Sequence, residues 1–170
     1  MSASVLIAGI GNIFHGDDAF GVVVAQRLAE HVWPEWLRWQ VRVMDIGIRA
    51  IDLAFALLDE YELTILVDAT ARGGEPGTLY TIEIGEGDVP DLSELGEVVN
   101  SHGLHPAYVL GLAKSMGARF KRVLLVGCEP LELERDEIGL SRVVEAAVDR
   151  AIEIIESIVK EAEVYCHESV

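Results

Sequence analysis

The sequence predicts an α/β fold: a three-layer sandwich whose mostly parallel, twisted sheet of about five strands carries helices on both faces. Three observations predict it. Residues 5–10 and 63–68 are nearly unbroken apolar runs, as strands covered on both faces of a parallel sheet must be. Turn residues and then apolar residues at helical spacing follow the first run and precede the second, the order of a βαβ unit. Further along, Val144, Ala147, Val148, Ala151, Ile152, Ile155 and Val159 recur at steps of three and four, marking a long amphipathic helix.

Residues 4–21 organise the rest. After the first strand, Gly9 and Gly11 let the backbone turn tightly or approach another group closely, and Asn12 can bond to the turn it helps to make. Asp17 and Asp18 open an apolar-periodic segment (Phe20, Val23, Val24, Leu28), so one of them is expected to cap a helix and the other to face a ligand. That helix is expected over residues 19–32, stopped near Pro34, with Trp33, Trp36 and Trp39 covering core edges. Residues 40–45 alternate and end in Asp45; Ile51, Leu53, Ala54, Leu57 and Leu58 give a helix face; residues 63–68 end in Asp68. Right-handed crossovers make these strands parallel and carry Asp18, Asp45 and Asp68 towards the carboxyl edge, where sites of open α/β folds lie.

Residues 73–77 (GGEPG) form a turn, and the clean alternation of 78–84 predicts an edge strand, antiparallel to its neighbour. Residues 85–103 lack a persuasive period, and a loop of that length inside a compact domain is expected to be functional, here substrate-facing. Ser101 and His102 precede Pro106 and a helix over 107–116; residues 122–127 are the last buried strand. Ser141 is placed to cap the final helix, and the polar tail after Lys160 is expected to fray.

Length and composition bound the class. A chain of 170 residues, 51% apolar and without a linker or visible repeat, suits a single domain over 1–170. Thirteen Lys and Arg stand against 29 Asp and Glu, a formal net charge of -16, which opposes nucleic acid or an anionic membrane as partner. Cys128 and Cys166 are too sparse for a disulfide framework, and neither a basic leader nor a membrane-length apolar run is seen, so a cytoplasmic protein is expected, monomeric by default.

Two chemistries compete for these residues. Gly9-Ile10-Gly11 after a strand, with Asp45 ending the next, suggests a dinucleotide fold, but Phe14 stands where the third glycine belongs and two aspartates would repel a pyrophosphate. Asp18, Asp68 and His102 offer instead two hard oxygens and a nitrogen with positions left open, which suits Ni²⁺ or Zn²⁺. On the residues alone both stand beside plain structural roles: a helix cap at Asp17 or Asp18, a turn former at Asp68, a polar loop residue at His102. His15, His31, His105 and His167 read as surface or packing residues, with His105 near enough to His102 to substitute for it. Cys128 reads as a small buried hydrophobe, and neither a GxSxG elbow nor an HExxH helix is present.

Four blocks carry a resemblance: Gly9-Ile10-Gly11-Asn12 with Asp17-Asp18-Ala19-Phe20-Gly21; Leu66-Val67-Asp68-Ala69; Ser101-His102-Gly103-Leu104; and Val126-Gly127-Cys128-Glu129-Pro130. Together they resemble the nickel-iron hydrogenase maturation endopeptidases over residues 5–155. The resemblance implies a peptidase that removes a short C-terminal extension from the precursor of the hydrogenase large subunit once nickel is inserted. It implies that Asp18, Asp68 and His102 are metal ligands, that the nickel is carried by the substrate, and that other divalent ions can occupy the site. It names no attacking group. Some members of that family carry Glu where this chain has Asp18. Many have a glycine pair after the second strand, where this chain has Asp45-Ile46-Gly47-Ile48 and keeps only Gly47. A nucleotide-binding protein and a non-catalytic nickel-binding maturation chaperone are the alternatives.

Overall fold

A computed structural model describes residues 4–91, 93–94, 105–133 and 135–168, the side chains of 167 and 168 aside. Five strands form one sheet in the order β2-β1-β3-β5-β4: β1 Ser4–Ile10, β2 Gln40–Gly47, β3 Leu63–Ala69, β4 Leu79–Ile84 and β5 Val123–Cys128. β1 pairs in parallel with β2 and β3, and β3 with β5; only β4 is antiparallel, lying on β5 at the edge as its alternation predicts. The three central strands are the near-continuous apolar runs, because only they are covered on both faces.

Among the described residues two helices lie on each face. α1 (Phe20–Ala29) and α4 (Arg142–Glu168) cover one side, where Val5, Ile7, Ile65 and Val67 meet Phe20, Val24, Val148 and Ile155. α2 (Ala50–Ala56) and α3 (Pro106–Ser115) cover the other, where Leu6, Ala8 and Leu66 meet Leu53, Leu57, Val109 and Leu110. At roughly 1.5–3 kcal/mol for each large aliphatic side chain fully buried, these two cores supply the main drive to fold. No helix among the described residues is long and apolar enough to cross a membrane.

α1 is drawn unusually close to the sheet, and two glycines allow it. A Cβ on Gly9 would lie 2.1 Å from the Gly21 carbonyl oxygen, and one on Gly21 would lie 2.1 Å from the Val67 oxygen and 2.3 Å from the Ile10 oxygen. The start of the helix therefore rests directly on the backbones of β1 and β3, just where both strands end.

Several boundaries differ from expectation. Residues 16–19 form a 3-10 turn, so α1 begins at Phe20; it ends at Ala29 rather than 32, since Val32 finds no core to enter. Trp39 and Trp33 cover the core edge as expected, but Trp36 is exposed. β2 continues two residues past Asp45 because the buried Ile46 extends the second core. The last helix does not fray after Lys160: Ala162 and Glu163 are buried, and Glu163 accepts the Arg38 amide at 2.5 Å, which holds the helix against residues 33–39.

Candidate functional site

The turn after β1 is built around Asp18. Gly11 sits at φ +143°, and a Cβ there would lie 1.8 Å from the Asp18 carbonyl oxygen, so the chain doubles back onto itself at a position only glycine tolerates. The Asn12 amide donates to Asp18 Oδ2 at 2.9 Å, while Asn12 Oδ1 accepts from the Phe14 amide at 3.0 Å. Asp18 is thus tethered at the mouth of the turn by one oxygen. Burial raises its pKa, opposed by the Asn12 bond and by nearby His15.

Asp17 turns the other way. It is 1% exposed and accepts three hydrogen bonds: from the Ser141 amide at 2.7 Å, the Ser141 hydroxyl at 2.9 Å and the Leu131 amide at 2.9 Å. Neither aspartate caps α1, whose N-cap is Ala19 without a side-chain bond. The expected helix cap is therefore not made: Asp17 fixes the β5–α4 loop, while Asp18 stays on the turn that follows β1. Ser141 stands at the expected N-cap position, its carbonyl accepting from the Glu145 amide at 2.8 Å, but its hydroxyl donates to Asp17.

Asp68, 8% exposed, is the next-to-last residue of β3 and continues its buried run. Its pKa is pushed well above its ordinary value, chiefly by burial and then by the charge of Asp18, with only the Ala69 amide favouring the anion. The Asp18 charge thus reaches Asp68 from the turn that follows β1.

Asp45 does not join them. It pairs with Gly9 while Asp68 follows Val67, and side chains alternate along a strand, so Asp45 projects to the α1 face and Asp68 to the α2–α3 face. Asp45 accepts instead from Gln26 of α1 at 3.0 Å. His102 lies outside the described residues, as do most of 85–103. The described ends of that segment are informative. Asp91 is held by Lys114 near the C-terminal end of α3 at 3.1 Å, and α3 leads through residues 116–122 into the start of β5. The opposite end of α3, beginning after His105, is accordingly directed to the carboxyl edge, on the face to which Asp68 projects. His105 itself is an N-cap, its Nδ1 accepting from the Ala107 amide at 3.2 Å, which removes it as a substitute ligand through that nitrogen. Among the described residues no three His, Cys, Asp or Glu side chains gather as a metal cluster.

Glu129, within the fourth sequence block, has a role that sequence reasoning did not assign. Its carboxylate accepts from the Arg72 amide at 2.8 Å, the Gly73 amide at 3.2 Å and the Tyr80 hydroxyl at 2.7 Å. These bonds, the Arg72 amide first, hold its pKa below the ordinary value. They also fix the loop that leaves Asp68. The available signal was Gly73-Gly74, a stretch whose amides are open to an acceptor. Cys128 is fully buried, and burial pushes its thiol up to about 12, so it is no nucleophile.

The family model for hydrogenase maturation proteases matches residues 22–158. This chain belongs to that family. It is 36% identical over 149 residues to the hydrogenase expression/formation protein HupD of Rhodobacter capsulatus, covering 87% of this chain and 67% of that one. It is 29% identical over 159 residues to the hydrogenase 2 maturation protease of Escherichia coli, covering 93% and 92%. Among solved structures, the hydrogenase maturating endopeptidase HybD of E. coli superposes with a TM-score of 0.69 at 26% identity, covering 94% of this chain and 93% of that one. The NiFe hydrogenase maturation protease HycI of Thermococcus kodakarensis gives 0.67 at 30% identity, with the same coverage. The protein is therefore a hydrogenase maturation peptidase with the α/β fold its sequence predicts. The carboxyl edge of its sheet carries Asp18 and Asp68 beside two loops held by Asp17 and Glu129.

Proposed function

We propose that this protease removes the C-terminal extension from the nickel-loaded precursor of a nickel-iron hydrogenase large subunit, and that Asp18, Asp68 and His102 recognise the nickel. The observation that carries this reading is the placement of Asp18 and Asp68. Two acids from distant parts of the chain meet at one sheet edge, near enough that the charge of one disfavours ionisation of the other. Such a pair suits a cation that arrives with the substrate. Nickel held by the precursor's cysteines adds two oxygen ligands from the protease and a nitrogen from His102, and that grip places the scissile bond beside the site. A bound divalent ion also supplies Lewis acidity towards a carbonyl or a water. Other divalent ions of similar preference occupy the same ligands when nickel is absent.

The protein works in the cytoplasm as a monomer, with the precursor as its partner and neither nucleic acid nor membrane involved. Its charge of -16 supports the latter. The nucleotide-binding alternative meets a physical obstacle. The space over Gly11, which a pyrophosphate would need, is filled by the backbone of Asp18.

The test is to incubate the purified protein with nickel-loaded precursor and weigh the product. Wild type is expected to yield the large subunit short of its C-terminal extension. His102→Ala is expected to fold as wild type does and to leave the precursor intact. An unchanged precursor mass with wild type, or normal processing by His102→Ala, contradicts the proposal.

A further inference from the structure

We infer that Arg72 is a catalytic residue of this peptidase, its guanidinium donating to the scissile carbonyl oxygen and stabilising the negative charge that gathers there during cleavage. The inference rests on the proposed function, which places the scissile bond beside Asp18 and Asp68, and adds to it the group that meets the oxyanion. The strand registers put Arg72 on the required face. Asp68 pairs with Gly127 of β5, and Gly127 pairs in turn with Tyr80 of β4. Residues directly opposite each other project to the same face, so Asp68, Gly127 and Tyr80 form one row on the α2–α3 side. Two strand spacings, about 10 Å, separate the backbones of Asp68 and Tyr80. The Arg72 guanidinium lies over the Tyr80 ring, 5.6 Å from its centroid, which brings its charge to this row.

The loop that carries Arg72 follows the same row. A Cβ on Gly127 would lie 2.4 Å from Thr70 Oγ1, and one on Gly74 would lie 2.2 Å from the Tyr80 hydroxyl oxygen. Residues 70–74 therefore run from Asp68 across the end of β5 to Tyr80. Glu129 fixes that course, accepting from the Arg72 amide at 2.8 Å and from the Tyr80 hydroxyl at 2.7 Å. One carboxylate thus holds both the backbone of Arg72 and the ring beneath its guanidinium.

The charge of Arg72 is meanwhile unpaired. Most lysines and arginines of this acidic chain form an ion pair with a carboxylate. Among the described residues Arg38, Arg72, Arg119, Arg142 and Arg150 do not. Arg38 and Arg119 precede β2 and β5, at the opposite end of the sheet, while Arg142 and Arg150 belong to α4 on its other face. Only Arg72 of these stands at the carboxyl edge on the side to which Asp68 projects. Glu129 gives its oxygens to two amides and the phenol, which leaves the guanidinium to a partner from outside the chain.

Peptide hydrolysis supplies such a partner. As the oxygen of water bonds to the scissile carbonyl carbon, the C=O electron pair moves onto the carbonyl oxygen. On collapse that C=O re-forms and the C–N bond breaks, the nitrogen leaving as an amine with one of the water's protons. The passing oxyanion is where a preorganised cation lowers the barrier, and the planar guanidinium keeps its charge at every working pH. A gap of about 10 Å between the Asp68 and Tyr80 backbones admits one extended chain, which takes about 4.8 Å to either side.

The test compares wild type, Arg72→Ala and Arg72→Lys on nickel-loaded large-subunit precursor, reading kcat and KM from product mass and affinity from biolayer interferometry. Arg72 is exposed, and the circular dichroism and melting of both variants are expected to match wild type. Arg72→Ala is expected to lose about 10²–10³-fold in kcat while KM and affinity hold. Arg72→Lys, which keeps the charge without the planar fork, is expected to fall between the two. Added guanidinium chloride is expected to restore part of the rate of Arg72→Ala, where sodium chloride at equal strength does not. Normal kcat in Arg72→Ala overturns the inference and leaves the peptidase reading standing. A rise in KM at constant kcat overturns it too, since the contact would then belong to substrate binding. A loss of kcat that guanidinium leaves unmended assigns Arg72 to holding its loop and likewise overturns it. Wild type that leaves the precursor whole contradicts the proposed function, and this inference falls with it.

Discussion

Asp17 and Ser141, 124 residues apart, are joined by two hydrogen bonds, the Ser141 amide donating to Oδ1 at 2.7 Å and its hydroxyl to Oδ2 at 2.9 Å. With the Leu131 amide on Oδ2 at 2.9 Å, this buried carboxylate draws both ends of the β5–α4 loop onto the turn that presents Asp18. Asp17→Ala leaves two part-buried amides and a hydroxyl without their acceptor, at a cost of about 2–4 kcal/mol. Equilibrium urea unfolding measures it. A variant within about 0.5 kcal/mol of wild type, the range of ordinary surface changes, contradicts the role.

Gly21 makes a second, purely steric prediction. Its missing Cβ would meet the carbonyl oxygens of Val67 and Ile10, backbone atoms of two central strands that cannot move aside. Gly21→Ala is expected to cost at least ~1–3 kcal/mol by forcing α1 off the sheet. A thermal melt equal to wild type would show that the helix is not seated as described.

The carboxylate pair has a sign that opposes stability. Burial and Asp18 raise the pKa of Asp68, so above its ordinary 3.8 the folded state holds a proton that the unfolded chain has released. Stability contributed by this group falls as pH rises from 3.8 towards the raised value. Asp68→Asn removes that penalty. Its melting temperature is expected to exceed that of metal-free wild type at pH 7, the gap closing as pH falls to 3.8. A gap that is absent or reversed at pH 7 contradicts the description of Asp68.

Glu129 runs the opposite way. Its lowered pKa means that the anion, held by the Arg72 and Gly73 amides and the Tyr80 hydroxyl, stabilises the fold above the ordinary 4.5. That contribution is lost as pH falls through the lowered value. Glu129→Gln should melt below wild type at neutral pH and converge with it in acid. Parallel melting curves across pH 3–7 would count against it.

The legible parts of this molecule were those written in local pattern. β1, β3 and β5 announced themselves as apolar runs, β4 as an alternating edge, and the last helix by its three-and-four spacing. Gly9 and Gly11 were legible as a close backbone approach, now seen against Gly21 and Asp18. What local pattern hid was direction and long-range pairing. Asp45 and Asp68 both end apolar strands, yet they stand on opposite faces because one more residue of alternation separates them. Asp17 resembled a helix cap, since nothing in a stretch of twenty residues reveals a partner at Ser141. Glu163 sat in a polar tail and proved buried, tied to Arg38. His102 is a candidate from its residue type and place before a helix, with its ligand role implied by the family resemblance, and residues 95–104 lie outside those described.

The ligand set is the central claim, and anomalous diffraction from a crystal soaked in nickel or cadmium tests it most directly. The account predicts one peak, with a carboxylate oxygen of Asp18, a carboxylate oxygen of Asp68 and an imidazole nitrogen of His102 each about 2.0–2.4 Å away. No peak at that edge in wild type, or a peak that persists undiminished in Asp18→Asn and Asp68→Asn crystals, would contradict it.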